Sequence, residues 1–118
     1  MRPMPKVNYT TLLVFAPILL LTGITGMLGP SPFDLMSTAV PYNVLHIVFG
    51  VLGVGLVLSK RAPLIRSFNI GFGAIDLAQL AASVLHVWPA QHFQWHTGDD
   101  VLHLVVGAAL VIIGLSGR

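Results

Sequence analysis

Four apolar runs, parted by short breaks, constrain this chain more than any other feature. They extend from about Tyr9 to Leu28, Val44 to Ser59, Ser67 to Val87 and Val101 to Ser116. A transmembrane helix needs about 20 predominantly apolar residues, with roughly 17 tolerated. Each run therefore reads as a membrane span. The second and fourth are short and are expected to stand upright or to sit in a locally thinned bilayer. The breaks are Gly29-Pro30-Ser31-Pro32, Lys60-Arg61-Ala62-Pro63 and the polar run from Pro89 to Asp100, and Gly and Pro clusters of this kind end helices. The expected fold is an all-α, four-helix transmembrane bundle in one domain, residues 1–118. Composition agrees: 55% of residues are apolar and 8% are charged, against about 25% charged in a soluble domain. So little charge could not cover a water-facing surface.

The charges also give a topology. All six Lys and Arg residues, Arg2, Lys6, Lys60, Arg61, Arg66 and Arg118, fall on one side of the expected bundle. The positive-inside rule makes that side cytoplasmic, with both termini inside. The opposite loops hold Asp34, His92, His96, Asp99 and Asp100 and no Lys or Arg. The net charge of +2 comes from these few topology-setting residues, which form no stripe, so a nucleic-acid partner is excluded. The chain has no cysteine, which excludes disulfides, thiolate metal sites and cysteine nucleophiles. Arg2 and Lys6 ahead of an apolar run, with small residues at Gly23 to Gly26, imitate a signal peptide. An internal repeat argues that the first span is kept.

That repeat appears on sliding the sequence by 57 residues. Asn43–Arg61 then lies over Asp100–Arg118 without gaps, and nine of 19 pairs are identical: Val44, Leu45, His46, Val48, Gly50, Val54, Leu58, Ser59 and Arg61. The same offset sets Phe15 on Phe72, Ile18 on Ile75, Leu20 on Leu77 and Pro32 on Pro89. Repeat 1 covers about 5–61 and repeat 2 about 62–118, giving two tandem helical hairpins of the same orientation. Parallel repeats of this kind are related by a pseudo-two-fold axis along the membrane normal. His46 and His103 are then expected at equal depth and equal distance from that axis.

The pattern N/D-x-L-H-x-x-x-G, a basic turn, a Phe68-Asn69 start to the next span and a second D-x-L-H-x-x-x-G resembles an uncharacterised group of small bacterial four-span membrane proteins, catalogued as a domain of unknown function. The resemblance covers nearly the whole chain. It implies the four-span fold and a bacterial source, and it implies no activity; the expected location is then a bacterial inner membrane, or an intracytoplasmic or thylakoid-type one. Asp76 has no place in the pattern.

Intramembrane imidazoles are rare and normally face protein or water. Gly50 and Gly107 follow His46 and His103 by four residues, on the same helical face, and small residues mark close helix packing. Both histidines are therefore expected inside the bundle. Two inward histidines about a two-fold axis suit axial ligation of haem b, a chlorophyll-type pigment or a metal, with each Gly leaving room for a ring. Against this stands plain packing, in which Asn43 and Asp100 cap their helices and each His hydrogen-bonds across the bundle. His92, His96 and Asp100 form a second, weaker candidate for zinc or copper(II). In the same stretch Trp88, Phe93 and Trp95 fit an interfacial aromatic belt. Asp76 falls near mid-membrane, where a bare carboxylate costs several kcal/mol unless it is protonated, paired or wet. Gln79, Thr22 and Thr25 are its candidate partners, and His86 is expected at the interface.

No phosphate-binding Gly loop, G-x-S-x-G or H-E-x-x-H occurs, so an enzyme is not expected, while paired histidines keep electron transfer in play. Three functions follow from the residues. The chain is read first as an accessory or structural subunit of a larger membrane complex, with lipid and other membrane subunits as partners. The alternatives are a haem-, pigment- or metal-binding protein using His46 and His103, and an oligomeric ion or proton transporter using Asp76.

Overall fold

The computed structural model describes residues 7–28 and 37–116. Arg2, Lys6, Arg118, Asp34 and the Gly29-Pro30-Ser31-Pro32 break lie outside the described residues. The architecture is an all-α four-helix bundle: α1 (Val7–Leu28), α2 (Val40–Ser59), α3 (Ala62–Leu85), the one-turn α4 (Ala90–Phe93) and α5 (Thr97–Ser116). The four long helices are all long and apolar enough to cross a membrane. At about 1.5 Å per residue they run roughly 30 to 36 Å, matching a hydrocarbon core of about 30 Å. Large aliphatic side chains such as Val14, Leu21, Val51, Val105 and Ile112 are exposed on the outside, as a multi-pass membrane protein requires.

Three helices, α2, α3 and α5, begin four or five residues earlier than the hydropathy predicts, and in each a polar group near the start finds a partner. Asn43 and Asp100 are not caps but interior helical residues. The Asn43 amide donates to the carbonyls of Ala39 (3.0 Å) and Ser37 (3.2 Å), tying the preceding chain to α2, and Pro41 in the first turn needs no N–H partner there. In α5, Thr97-Gly98 opens the helix, because the Asp99 carboxylate accepts from the His96 N–H at 2.9 Å. This is one half of a capping box, three residues in from the cap. In α3, Arg66 lies within the helix. Its guanidinium donates to the carbonyl oxygens of Gly114 (2.6 Å) and Leu115 (3.2 Å) at the end of α5, where last-turn carbonyls lack helical donors. The two short predicted spans are thus full-length helices of 20 residues each.

The helices stop for backbone reasons. Lys60 and His86 both adopt left-handed conformations, with φ of 57° and 58°. Lys60 turns its N–H onto the carbonyls of Leu56 and Val57, and Val87 N–H reaches Ala82 at 3.0 Å. These are the bonds that close a helix C-terminus.

The closest helix pairs are α1 with α2 and α3 with α5, the two hairpins; α1 and α3 also touch, whereas α2 and α5 meet only through side chains. Glycines set the close approach. A Cβ on Gly50 would stand 2.7 Å from the backbone of Leu20. On Gly107 it would stand 3.0 Å from both the Gly73 carbonyl oxygen and the Asp76 Cβ. These two positions, 57 apart, do the same work in the two hairpins, and Phe15 meets its counterpart Phe72 between them at 5.7 Å. The core is Leu12, Ala16, Leu19, Val57, Ile65, Phe68, Phe72 and Leu110. It fills the half of the bundle nearer Lys60, Arg61 and Arg66. At that end Asn69 donates to the Asn8 side-chain oxygen at 2.9 Å.

Candidate functional site

Away from that apolar half, four polar side chains from three helices converge. Tyr42 and His46 are four residues apart on α2 and so share a face; His103 comes from α5 and Asp76 from α3. All are buried, with exposures of 1%, 6%, 3% and 4%. With Thr22, Phe15, Phe72 and neighbouring aliphatic groups they line one cavity of about 120 Å³. Liquid water occupies about 30 Å³ per molecule, so the space suits a few waters or a small ion.

Tyr42 is the hub. Its hydroxyl is hydrogen-bonded to His103 Nε2 at 2.8 Å, and its ring packs on His46 with centroids 4.3 Å apart. Its repeat counterpart 57 residues on is Asp99, whose carboxylate adjoins the same hydroxyl. Asp99 is fully buried and also accepts from the Ser37 N–H at 2.7 Å. Over this end lies the α4 segment. Phe93 and Trp95 pack on Tyr42 at 5.5 and 6.3 Å, and Trp95 meets His103 edge-on at 5.7 Å. The Ser37 hydroxyl donates to the Phe93 carbonyl oxygen and fastens the segment down.

Asp76 is less well held. Gln79 Nε2 donates to its Oδ1 at 3.4 Å, beyond the usual range of about 2.7–3.2 Å. Thr22 lines the cavity, yet its hydroxyl donates back to Ile18 O at 2.8 Å, and Thr25 donates to Thr22 O at 3.1 Å. Nδ1 of His46 and Nδ1 of His103 are buried and make no hydrogen bond with the described residues.

The paired histidines do share a cavity, but it does not fit a porphyrin. The Tyr42 ring packs against both imidazoles, and the space, about 120 Å³, is well below the roughly 300–1,000 Å³ of a pocket for a drug-sized ligand. The room expected beside Gly50 and Gly107 is filled by the backbone of the paired helix. A pigment docking from the lipid side would find both imidazoles buried. Among the described residues no three His, Asp or Glu side chains are gathered to hold an ion, so His92, His96 and Asp100 are not brought together. The chain turns at Gln94 (φ 51°) between α4 and α5 and leaves His92 exposed. His86 is exposed at the end of α3 and does not join the cluster.

Tyr42 and Asp99 are the residues that sequence reasoning underweighted. The signal was present, since each precedes a repeated His by four residues. It is masked in the sequence because Tyr42 precedes the second apolar run and Asp99 falls in the polar stretch from Pro89 to Asp100. No family model matches the chain, and no curated protein or solved structure matches it either.

Proposed function

We propose that this chain is a small inner-membrane protein, both termini cytoplasmic, whose working part is an intramembrane proton- or small-cation-binding site centred on Asp76. The orientation rests on the six basic residues of one side. The observation that carries the site is the convergence of Tyr42, His46, Asp76 and His103 on one small cavity. Ionisable groups in spanning helices that face a cavity mark ion and proton pathways. Asp76, His46 and His103 are groups that can take up or release a proton, and with the Tyr42 hydroxyl they offer O and N atoms to a small cation. Asp76, weakly hydrogen-bonded and without a counterpart in the other repeat (Leu19), is the group that carries the exchange. The aromatic layer of Phe15, Phe49, Phe68 and Phe72 closes the bundle beneath it, so passage across the whole membrane requires an oligomer or a second conformation.

The test is infrared difference spectroscopy of the full chain in lipid during pH jumps, with and without sodium or potassium. A reversible carboxylic C=O band that Asp76→Asn removes and His46→Phe shifts supports the reading. No titrating band, or one untouched by Asp76→Asn, overturns it. The cluster is then packing, and the accessory-subunit reading takes its place.

A further inference from the structure

A second concave feature lies at the other end of the bundle, on its lipid-facing side. Between α2 and α3 a groove of about 300 Å³ is walled by Leu56, Leu64 and Ile75 and floored by Phe68 and Phe72, with Gly71 open in its wall. From Leu64 to Ile75 it follows α3 for eleven residues, about 16 Å at 1.5 Å per residue. That is half of a hydrocarbon core of about 30 Å, hence the depth of one leaflet.

Gly71 makes the groove: a Cβ there would meet nothing within 4 Å, so a larger side chain would occupy empty space. The repeat counterpart on α1 is Val14, which is 57% exposed and projects from the bundle. The two repeats therefore differ at this face. The end of the groove abuts the α2–α3 turn. Lys60 N–H bonds to Leu56 O at 3.2 Å and Leu64 N–H to Arg61 O at 3.0 Å, so groove wall and basic turn are continuous. Lys60 and Arg61 are exposed. Asp76, Asp99 and Asp100 all lie at mid-bundle or at the opposite end.

We infer that this groove binds an anionic phospholipid, with one acyl chain along α3 over Gly71 and the headgroup phosphate at Lys60 and Arg61. Two cations at the mouth of a one-leaflet apolar groove match such a lipid in charge and length, and basic pockets between spanning helices select anionic headgroups. A zwitterionic lipid would fill the groove but gain less at the turn.

Native mass spectrometry of the full chain in mild detergent, titrated with dioleoyl phosphatidylglycerol or dioleoyl phosphatidylcholine, tests this. The anionic lipid should bind more tightly. Lys60→Gln with Arg61→Gln should weaken it on the order of 30-fold, roughly fivefold for each charge removed. Gly71→Leu should weaken both lipids, on the order of tenfold for the first, by filling the groove. Gly55→Leu is the control: its site is equally open and lies outside the groove, so binding should not change. Equal affinity for the two lipids overturns the inference, as does a Gly71→Leu variant that binds like Gly55→Leu. A dimer lost in Gly71→Leu with lipid binding intact also overturns it, and assigns the groove to a second copy of the chain.

Discussion

Replacing Asp76 by Leu should make the protein more stable. Asp76 is 4% exposed, and the bond it receives from Gln79 is long, at 3.4 Å. A buried polar group without a good partner costs about 1–3 kcal/mol. The substitution removes that cost. It also takes the acceptor from the Gln79 amide, but at 3.4 Å that bond already falls short of the usual worth of about 0.5–1.5 kcal/mol, so less than that is lost. The net is a gain of about 1 kcal/mol. The fold accepts Leu at this place, because the repeat counterpart of Asp76 is Leu19, itself 5% exposed, and the cavity beside Asp76 leaves about 120 Å³ for the added methyl groups. In thermal unfolding followed by helical circular dichroism, about 1 kcal/mol corresponds to a rise of roughly 4 °C for a chain of this size. A stabilising change that abolishes proton exchange is the pattern of a functional group kept at the expense of stability. If Asp76→Leu lowers stability by about 2 kcal/mol or more, Asp76 is a packing residue held by partners, and the reasoning fails.

Gly50→Ala should destabilise by about 1–3 kcal/mol, since its Cβ would meet the Leu20 backbone at 2.7 Å and α1 would have to move. Gly55→Ala, with nothing within 4 Å, should gain up to about 1 kcal/mol of helix propensity; equal effects in denaturant unfolding would refute the packing assigned to Gly50. Asp99→Ala removes the acceptor of the Ser37 and His96 amides, at 2.7 and 2.9 Å, and should speed their hydrogen exchange by at least about tenfold, a loss of about 1–3 kcal/mol. Unchanged exchange at both amides would show that the carboxylate does not hold the α4 segment in place.

Sequence patterning alone determined that there are four helices long and apolar enough to span a membrane, that Lys60, Arg61 and Arg66 cluster at one end and that His46 and His103 face inward. The reason is that lipid leaves the backbone few options and makes every polar residue conspicuous. The helices start before Asn43 and Asp100, because the Asn43 amide and the Asp99 carboxylate make specific bonds to the chain ahead of them rather than Asn43 and Asp100 acting as caps. Asp76 was visible as an anomaly but its neighbours were not. Only the tertiary structure set Tyr42 against both histidines, brought Asp99 to the same hydroxyl and gathered Asp76 onto their cavity. These residues lie on different helices, and periodicity says which face a side chain occupies on its own helix. It says nothing of what that face meets. The fate of the two repeated glycines was decided at the same level: the space beside them, free in the sequence to receive a ring, is filled by the backbone of the paired helix.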